Sequence, residues 1–364
     1  MKTITLVVLF ISTLAAQSLS NKKAQEFIDA LINNSVSLET YVLPEELAIS
    51  KRLGITYEGV KNKFLISYEI PVEIQLGIKN GTVDPSIAVE SIDDQFSILH
   101  FECVSKNYKT KYYFKNGYLI SLPYFYYKDW EKIESENFIF YVSEPSYYNQ
   151  NSIDKLENFV KNIFSILKYT EEEKQFLKKE KLIYLLCKDE DEIENLTGYK
   201  ARGMGNLAYD YVITTYNCHY HELLHILINY KMHKLPLYTH PFFQEGFAVA
   251  FGGRGGYEPG VVLNLGKFLE QSGFLKFSQL LSFDEYKTID VSMSYPLSGL
   301  YNLFLIQEIG IENYFKLYKK YSSGNISGSV IDSTELPLHL KWDDFVNNYS
   351  NDQEIVIDFI EEDF

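Results

Sequence analysis

Two histidines and a glutamate share a single helical turn of this chain, His221-Glu222-Leu223-Leu224-His225. Side chains four apart lie one above the other on a helix face, so the two imidazoles can hold one zinc ion between them. Glu222 then lies within reach of a water on that ion and can take its proton. The flanking Leu223, Leu224, Ile226, Leu227 and Ile228 mark a buried helix, and polar groups on such a helix need partners. The competing reading is a pair of core histidines satisfied by neighbouring side chains.

A zinc site that does chemistry has three protein ligands and one open position. After Pro236 and Pro241 comes Phe242-Phe243-Gln244-Glu245-Gly246-Phe247-Ala248-Val249-Ala250, the pattern of a second apolar helix with one acid. A carboxylate among Phe, Ala and Val is rarely buried without a charge partner, and zinc is such a partner. The alternative places Glu245 at a solvated helix start, where carboxylates are favoured. Cys218 falls at the start of the first helix and off the histidine face, which makes it a weaker ligand candidate.

These two segments carry a resemblance. His221-Glu222-x-x-His225 followed by Gln244-Glu245-Gly246-Phe247-Ala248 resembles the gluzincin metallopeptidases, the thermolysin-like clan, and in particular a secreted bacterial peptidase-MA-like group. The resemblance covers about residues 133–349. It implies one zinc ion on His221, His225 and Glu245, with Glu222 as general base in peptide-bond hydrolysis and a peptide or protein as substrate. It also places a tyrosine at Tyr295, whose phenol could donate to the oxyanion. Tyr301, His219 and His240 are alternative donors. Where the aminopeptidase branch reads Gly-x-Met-Glu-Asn, this chain reads Gly203-Met204-Gly205-Asn206, with no acid to hold a substrate amine. Where thermolysin has an aspartate that orients a histidine, this chain has Val249, so that support must come from elsewhere. A second function remains beside the first: an exported zinc-containing binding protein, an inactive peptidase homologue whose metal is structural. A fourth ligand such as His219 or Cys218 would mark it.

The chain has 364 residues and is 46% hydrophobic, enough for two domains with real cores. The formal net charge of −15 argues against nucleic acid, whose phosphates call for clustered Lys and Arg. Met1-Lys2-Thr3, an apolar run to Ala16 and then Gln17-Ser18 read as a secretory signal, so the expected location is periplasmic or extracellular. No later stretch is expected to span a membrane. Three cysteines allow at most one intrachain disulfide; Cys103 and Cys187 lie in strand-like apolar segments and read as buried thiols.

The expected fold class is α+β. Residues 1–18 are the signal and 19–132 an N-terminal α+β accessory domain. Residues 133–350 are the gluzincin-like metallopeptidase domain, with a mixed sheet and zinc-binding helices, and 351–364 an acidic tail. The N-terminal domain should open with a helix over 21–33 and a shorter one over 44–52. Strands are then expected at 64–70, 72–76, 96–104, 111–114 and 117–122, with turns at Asn80-Gly81 and Asn116-Gly117. A helix followed by a curved antiparallel sheet resembles NTF2-like or cystatin-like domains. Further on, strands are expected at 138–142, 181–187 and 211–215, and helices at 154–167, 297–308, 311–318 and 342–349. The resemblance implies that residues 204–214 line the cleft as an edge strand and pair with extended substrate. Gly252 to Gly256 reads as a helix terminator and a flexible turn.

Overall fold

A computed structural model describes residues 19–33, 36–52, 70–207, 210–232, 238–323, 325–336 and 339–350. The signal segment, the acidic tail, most of the expected strand at 64–70 and the break at Pro236 lie outside these residues. The described chain is mixed α and β, with one antiparallel and one mixed sheet as its main sheets. It falls into two compact units, one holding residues 19–47 and 70–125, the other residues 48–52 and 126–350.

In the first unit, α1 (Asn21–Ile32) is capped by the Ser20 side chain, which accepts from the Lys23 amide. It buries Ala24, Phe27, Ile28 and Leu31. The Phe27 ring meets Tyr112 and Phe114 edge-on at 5.1 and 5.3 Å. Those two residues belong to a four-stranded antiparallel meander, β1 (Ser86–Ser91), β2 (Phe96–Cys103), β3 (Tyr108–Lys115) and β4 (Tyr118–Ile120), in that order. Asn116 and Gly117 join β3 to β4 with φ of 51° and 73°, the two positive values that a tight hairpin turn demands. The helix expected over 44–52 is present as α2 (Pro44–Arg52).

One expectation is overturned. Val72–Leu76, read as a strand from its alternation, lies in a helix, α3 (Val72–Lys79). Five alternating residues do not outweigh Pro71, which cannot donate and suits a helix start, and only Ile74 and Gly77 of this helix are buried. The strand β1 was not legible, because only two positions, Ile87 and Val89, turn inward, and both stay half-buried.

The second unit is built on a five-stranded sheet of order β5-β6-β7-β9-β8. Its strands are β5 (Glu131–Glu134), β6 (Phe138–Val142), β7 (Leu182–Leu186), β8 (Gly203–Asn206) and β9 (Tyr211–Thr214). The central three run parallel, and β5 and β8 run antiparallel on the two edges. All five residues of β7 are buried, as expected for a strand covered on both faces. Between β6 and β7 lie α4 (Gln150–Ile166) and α5 (Glu171–Glu180), and α6 (Glu190–Thr197) follows β7. The strand before the zinc-motif helix, β9, is interior and bonded on both sides, so it cannot be the cleft edge. The edge strand is β8, whose two glycines hid it in the sequence.

Helices complete this unit: α7 (Tyr220–Met232), α8 (Pro241–Gly252), α9 (Pro259–Ser272), α10 (Val291–Ile309), α11 (Ile311–Lys320) and α12 (His339–Asn348). The helix expected from Leu297 starts earlier, at Val291, where Asp290 caps it by accepting from the Ser292 amide. Pro296 therefore lies inside it. Missing side chains let the helices approach closely. A β-carbon on Gly246 would come within 2.1 Å of Asn302 Nδ2, and one on Gly252 within 2.8 Å of the His221 amide. Among the described residues no helix is long and apolar enough to cross a membrane.

Candidate metal centre

The first turns of α7 carry His221, Glu222 and His225; the second turn of α8 carries Glu245. His240 caps α8 by accepting from the Phe242 amide at 3.2 Å, and Pro241 fills the first helical position, where a lost N–H costs nothing. Gly252 at the end of α8 allows backbone contact with His221, which brings the two helices together at the motif.

The result is a cluster of three donors. Nε2 of His221, Nε2 of His225 and Oε2 of Glu245 lie within 4.8 Å of one another. Glu245 Oε2 is 3.2 Å from the first nitrogen and 3.4 Å from the second. Ligands about 2.0–2.1 Å from a tetrahedral zinc lie roughly 3.3–3.4 Å apart, so this spacing fits the ion. The tautomer fits as well. His221 Nδ1 lies 2.9 Å from the Gly253 carbonyl oxygen, which can only accept, so Nδ1 carries a proton and Nε2 is the nitrogen turned to the cluster, where a metal would displace any proton it holds. This carbonyl supplies the support that Val249 cannot. Nδ1 of His225 is buried and makes no hydrogen bond within the described residues.

All four side chains are nearly enclosed. The histidines are each 7% exposed, Glu245 14% and Glu222 16%. Burial alone would raise the Glu245 carboxyl, but the charges and hydrogen bonds of His225 and His221 outweigh it and hold it well below the usual carboxylate range. Burial likewise works against a charged His221, yet the Glu245 hydrogen bond, both carboxylates and the Gly253 carbonyl raise its pKa to about 9. Burial is also overcome at Glu222, where the surrounding imidazoles lower the pKa. A pocket that holds a proton this firmly on an imidazole is a pocket with a strong field for cations.

Glu222 stands beside the three. Its Oε2 is 4.0 Å from His225 Nε2 and accepts the Gly205 amide of β8 at 2.5 Å. That contact exists because Gly205 has no side chain: a β-carbon there would lie 2.7 Å from the Glu222 carbonyl oxygen and 3.2 Å from His225 Cβ. The Gly205 amide therefore points away from β9, and by strand alternation the peptide groups of Gly203 and Gly205 face outward while Met204 pairs with Ile213.

The other candidate donors separate clearly. The Tyr295 ring lies parallel to the His221 ring within 5°, with centroids 6.2 Å apart. The Arg254 guanidinium sits 4.6 Å above the Tyr295 centroid and donates to the Val291 carbonyl. Tyr301 is not at the centre; it is fully buried in an aromatic core, stacked on Phe277 at 4.4 Å and packed on Trp342. His240 is committed to its cap, packs edge-on to Phe283 and Tyr286, and is pushed down to about 4 by burial. His219 lies close to the cluster, its Nδ1 2.8 Å from Thr214 Oγ1, and burial lowers it to about 4. All three cysteines are free thiols, with Cys103 and Cys187 buried.

Sequence reasoning brought together His221, Glu222, His225, Glu245 and Tyr295, and the structure places them in one neighbourhood. It missed the Gly253 carbonyl and the Gly205 amide, which act through the backbone. The Gly-x-Gly of 203–205 was the available sign, since glycine in a strand marks close approach of another backbone. Compared with models of known protein families, with curated proteins and with solved structures, the chain finds no match.

Proposed function

We propose that the protein is an exported zinc-dependent peptidase of gluzincin type, with zinc held by His221, His225 and Glu245. The observation that carries this reading is the donor spacing, one carboxylate at zinc-ligand separations from both imidazole nitrogens with a second carboxylate alongside. A zinc ion held there would lower the pKa of a bound water towards about 7 and polarise a substrate carbonyl.

The chain's own residues would do the rest. The Gly205 amide occupies Oε2 of Glu222 and leaves Oε1 to accept a proton from the attacking water and to return it to the leaving amine. The neighbouring imidazoles keep that carboxyl ionised in its enclosed setting. Tyr295, alongside His221, is the candidate donor to the developing oxyanion. The outward peptide group of Gly203 and the outward carbonyl of Gly205 suit pairing with an extended peptide backbone, the Gly205 amide being taken by Glu222. A closed structural site would need a fourth protein ligand, and among the described residues neither Cys218 nor His219 joins the cluster, which supports the catalytic reading over a binding protein. Within the same reading, the opening helix and four-stranded antiparallel sheet of the first unit support an NTF2-like or cystatin-like accessory domain. The apolar N-terminal run supports export.

Metal analysis and one variant test the proposal. Purified protein should carry one zinc, and Glu222→Gln should keep it while peptide hydrolysis falls by roughly 10²–10⁴-fold. Wild-type turnover in Glu222→Gln, or purified protein that takes up no zinc, rules the mechanism out.

A further inference from the structure

His219 is the feature near the centre that the proposed mechanism leaves unused. Its ring is held from several sides. Its amide donates to the Tyr184 hydroxyl at 3.0 Å, and the Tyr216 ring meets it edge-on at 5.2 Å. Its Nδ1 faces Thr214 Oγ1 at 2.8 Å. Gly203 leaves it room, since a β-carbon there would come within 2.3 Å of Nδ1.

The protein engages only one of the two ring nitrogens. Thr214 Oγ1 accepts the Tyr216 amide at 3.0 Å and has one proton to give. Its two possible acceptors are His219 Nδ1 at 2.8 Å and the Arg202 carbonyl at 3.1 Å. That carbonyl has two lone pairs and already receives the Thr215 amide at 3.0 Å and the Thr215 hydroxyl at 3.2 Å. Nδ1 is therefore the ring nitrogen committed to the protein, and Nε2 is engaged by no described residue.

Gly203 and Gly205 sit on the same face of β8, two residues and about 6.6–6.8 Å apart. Under Gly205 lies Glu222, and under Gly203 lies His219. We propose that His219 is a substrate-binding residue, its Nε2 hydrogen-bonding to the backbone of a peptide laid along β8, about two residues from the bond cut beside Glu222. This rests on the peptidase reading for what occupies the edge.

The test uses the full zinc-loaded protein. The probe is a peptide selected from a mixed-sequence library by retention on Glu222→Gln protein. Adding His219→Phe should weaken its binding by about 10–100-fold, as expected when a buried polar contact is lost. Zinc content should not change, and His219→Gln, which restores a side chain able to donate and accept, should recover part of the loss. On an otherwise wild-type chain, His219→Phe should raise KM by the same factor and leave kcat nearly unchanged. Equal binding by the Phe variant, or failure to retain any peptide, overturns the inference. If peptide is retained and His219→Phe weakens it while wild type cuts nothing, the peptidase reading falls and the role of His219 stands.

Discussion

Gly205→Ala is the sharpest probe of how the sheet edge is fitted to the motif helix. The new β-carbon would sit 2.7 Å from the Glu222 carbonyl oxygen, a helix backbone atom with no freedom to rotate away. Ordinary contact begins at 3.4 Å, so β8 must retreat from α7 by about 0.7 Å. Overpacking of this size costs about 1–3 kcal/mol. In a unit this large, each kcal/mol lowers the melting temperature by about 2–4 °C. The same retreat pulls the Gly205 amide off Glu222 Oε2, where it now donates at 2.5 Å. A displacement approaching 1 Å at a reacting group can cost on the order of 100-fold in rate, so turnover should fall further than stability does. Thermal melting and peptide turnover at saturating zinc measure the two effects separately. If Gly205→Ala melts and turns over like wild type, the contact between β8 and Glu222 is not as described and the argument from it fails.

Further outcomes follow from the buried groups. In zinc-free protein His221 is raised to about 9 from an ordinary 6.5, so its contribution to stability is whole below pH 6.5 and is lost as pH rises through 9. The shift corresponds to about 3 kcal/mol at most. Urea unfolding of chelator-treated protein should show that decline, and His221→Gln should flatten it; a level wild-type curve refutes it. With zinc bound the slope should reverse, because protons and metal compete for the same nitrogen. Glu245→Gln should weaken zinc binding by more than the roughly 10–100-fold typical of losing an outer partner, as read by chelator competition. Asn302 is fully buried, donates to the Phe242 and Ser298 carbonyls and accepts from the Tyr314 hydroxyl. Asn302→Ala should cost about 2–4 kcal/mol in urea unfolding, because it leaves those partners unsatisfied.

What the sequence determined by itself was the local chemistry. A histidine pair at helical spacing puts both rings on one face of α7 whatever surrounds it, and an isolated acid in an apolar helix has few tolerable partners. Asn116-Gly117 was equally readable, because the tight hairpin needs two residues at positive φ. The stretch 72–76 was misread because five residues of alternation are too short to outweigh a proline at the boundary. Tertiary structure alone decided the rest. It brought Glu245 to the histidines across 20 residues of chain, made β8 the free edge, consigned Tyr301 to the core and set Tyr295 beside His221. It also recruited the Gly253 carbonyl and the Gly205 amide; glycine at 203 and 205 could hint at a close approach but not at its partner, since every residue but proline carries the same two backbone groups and only the packing decides where they point.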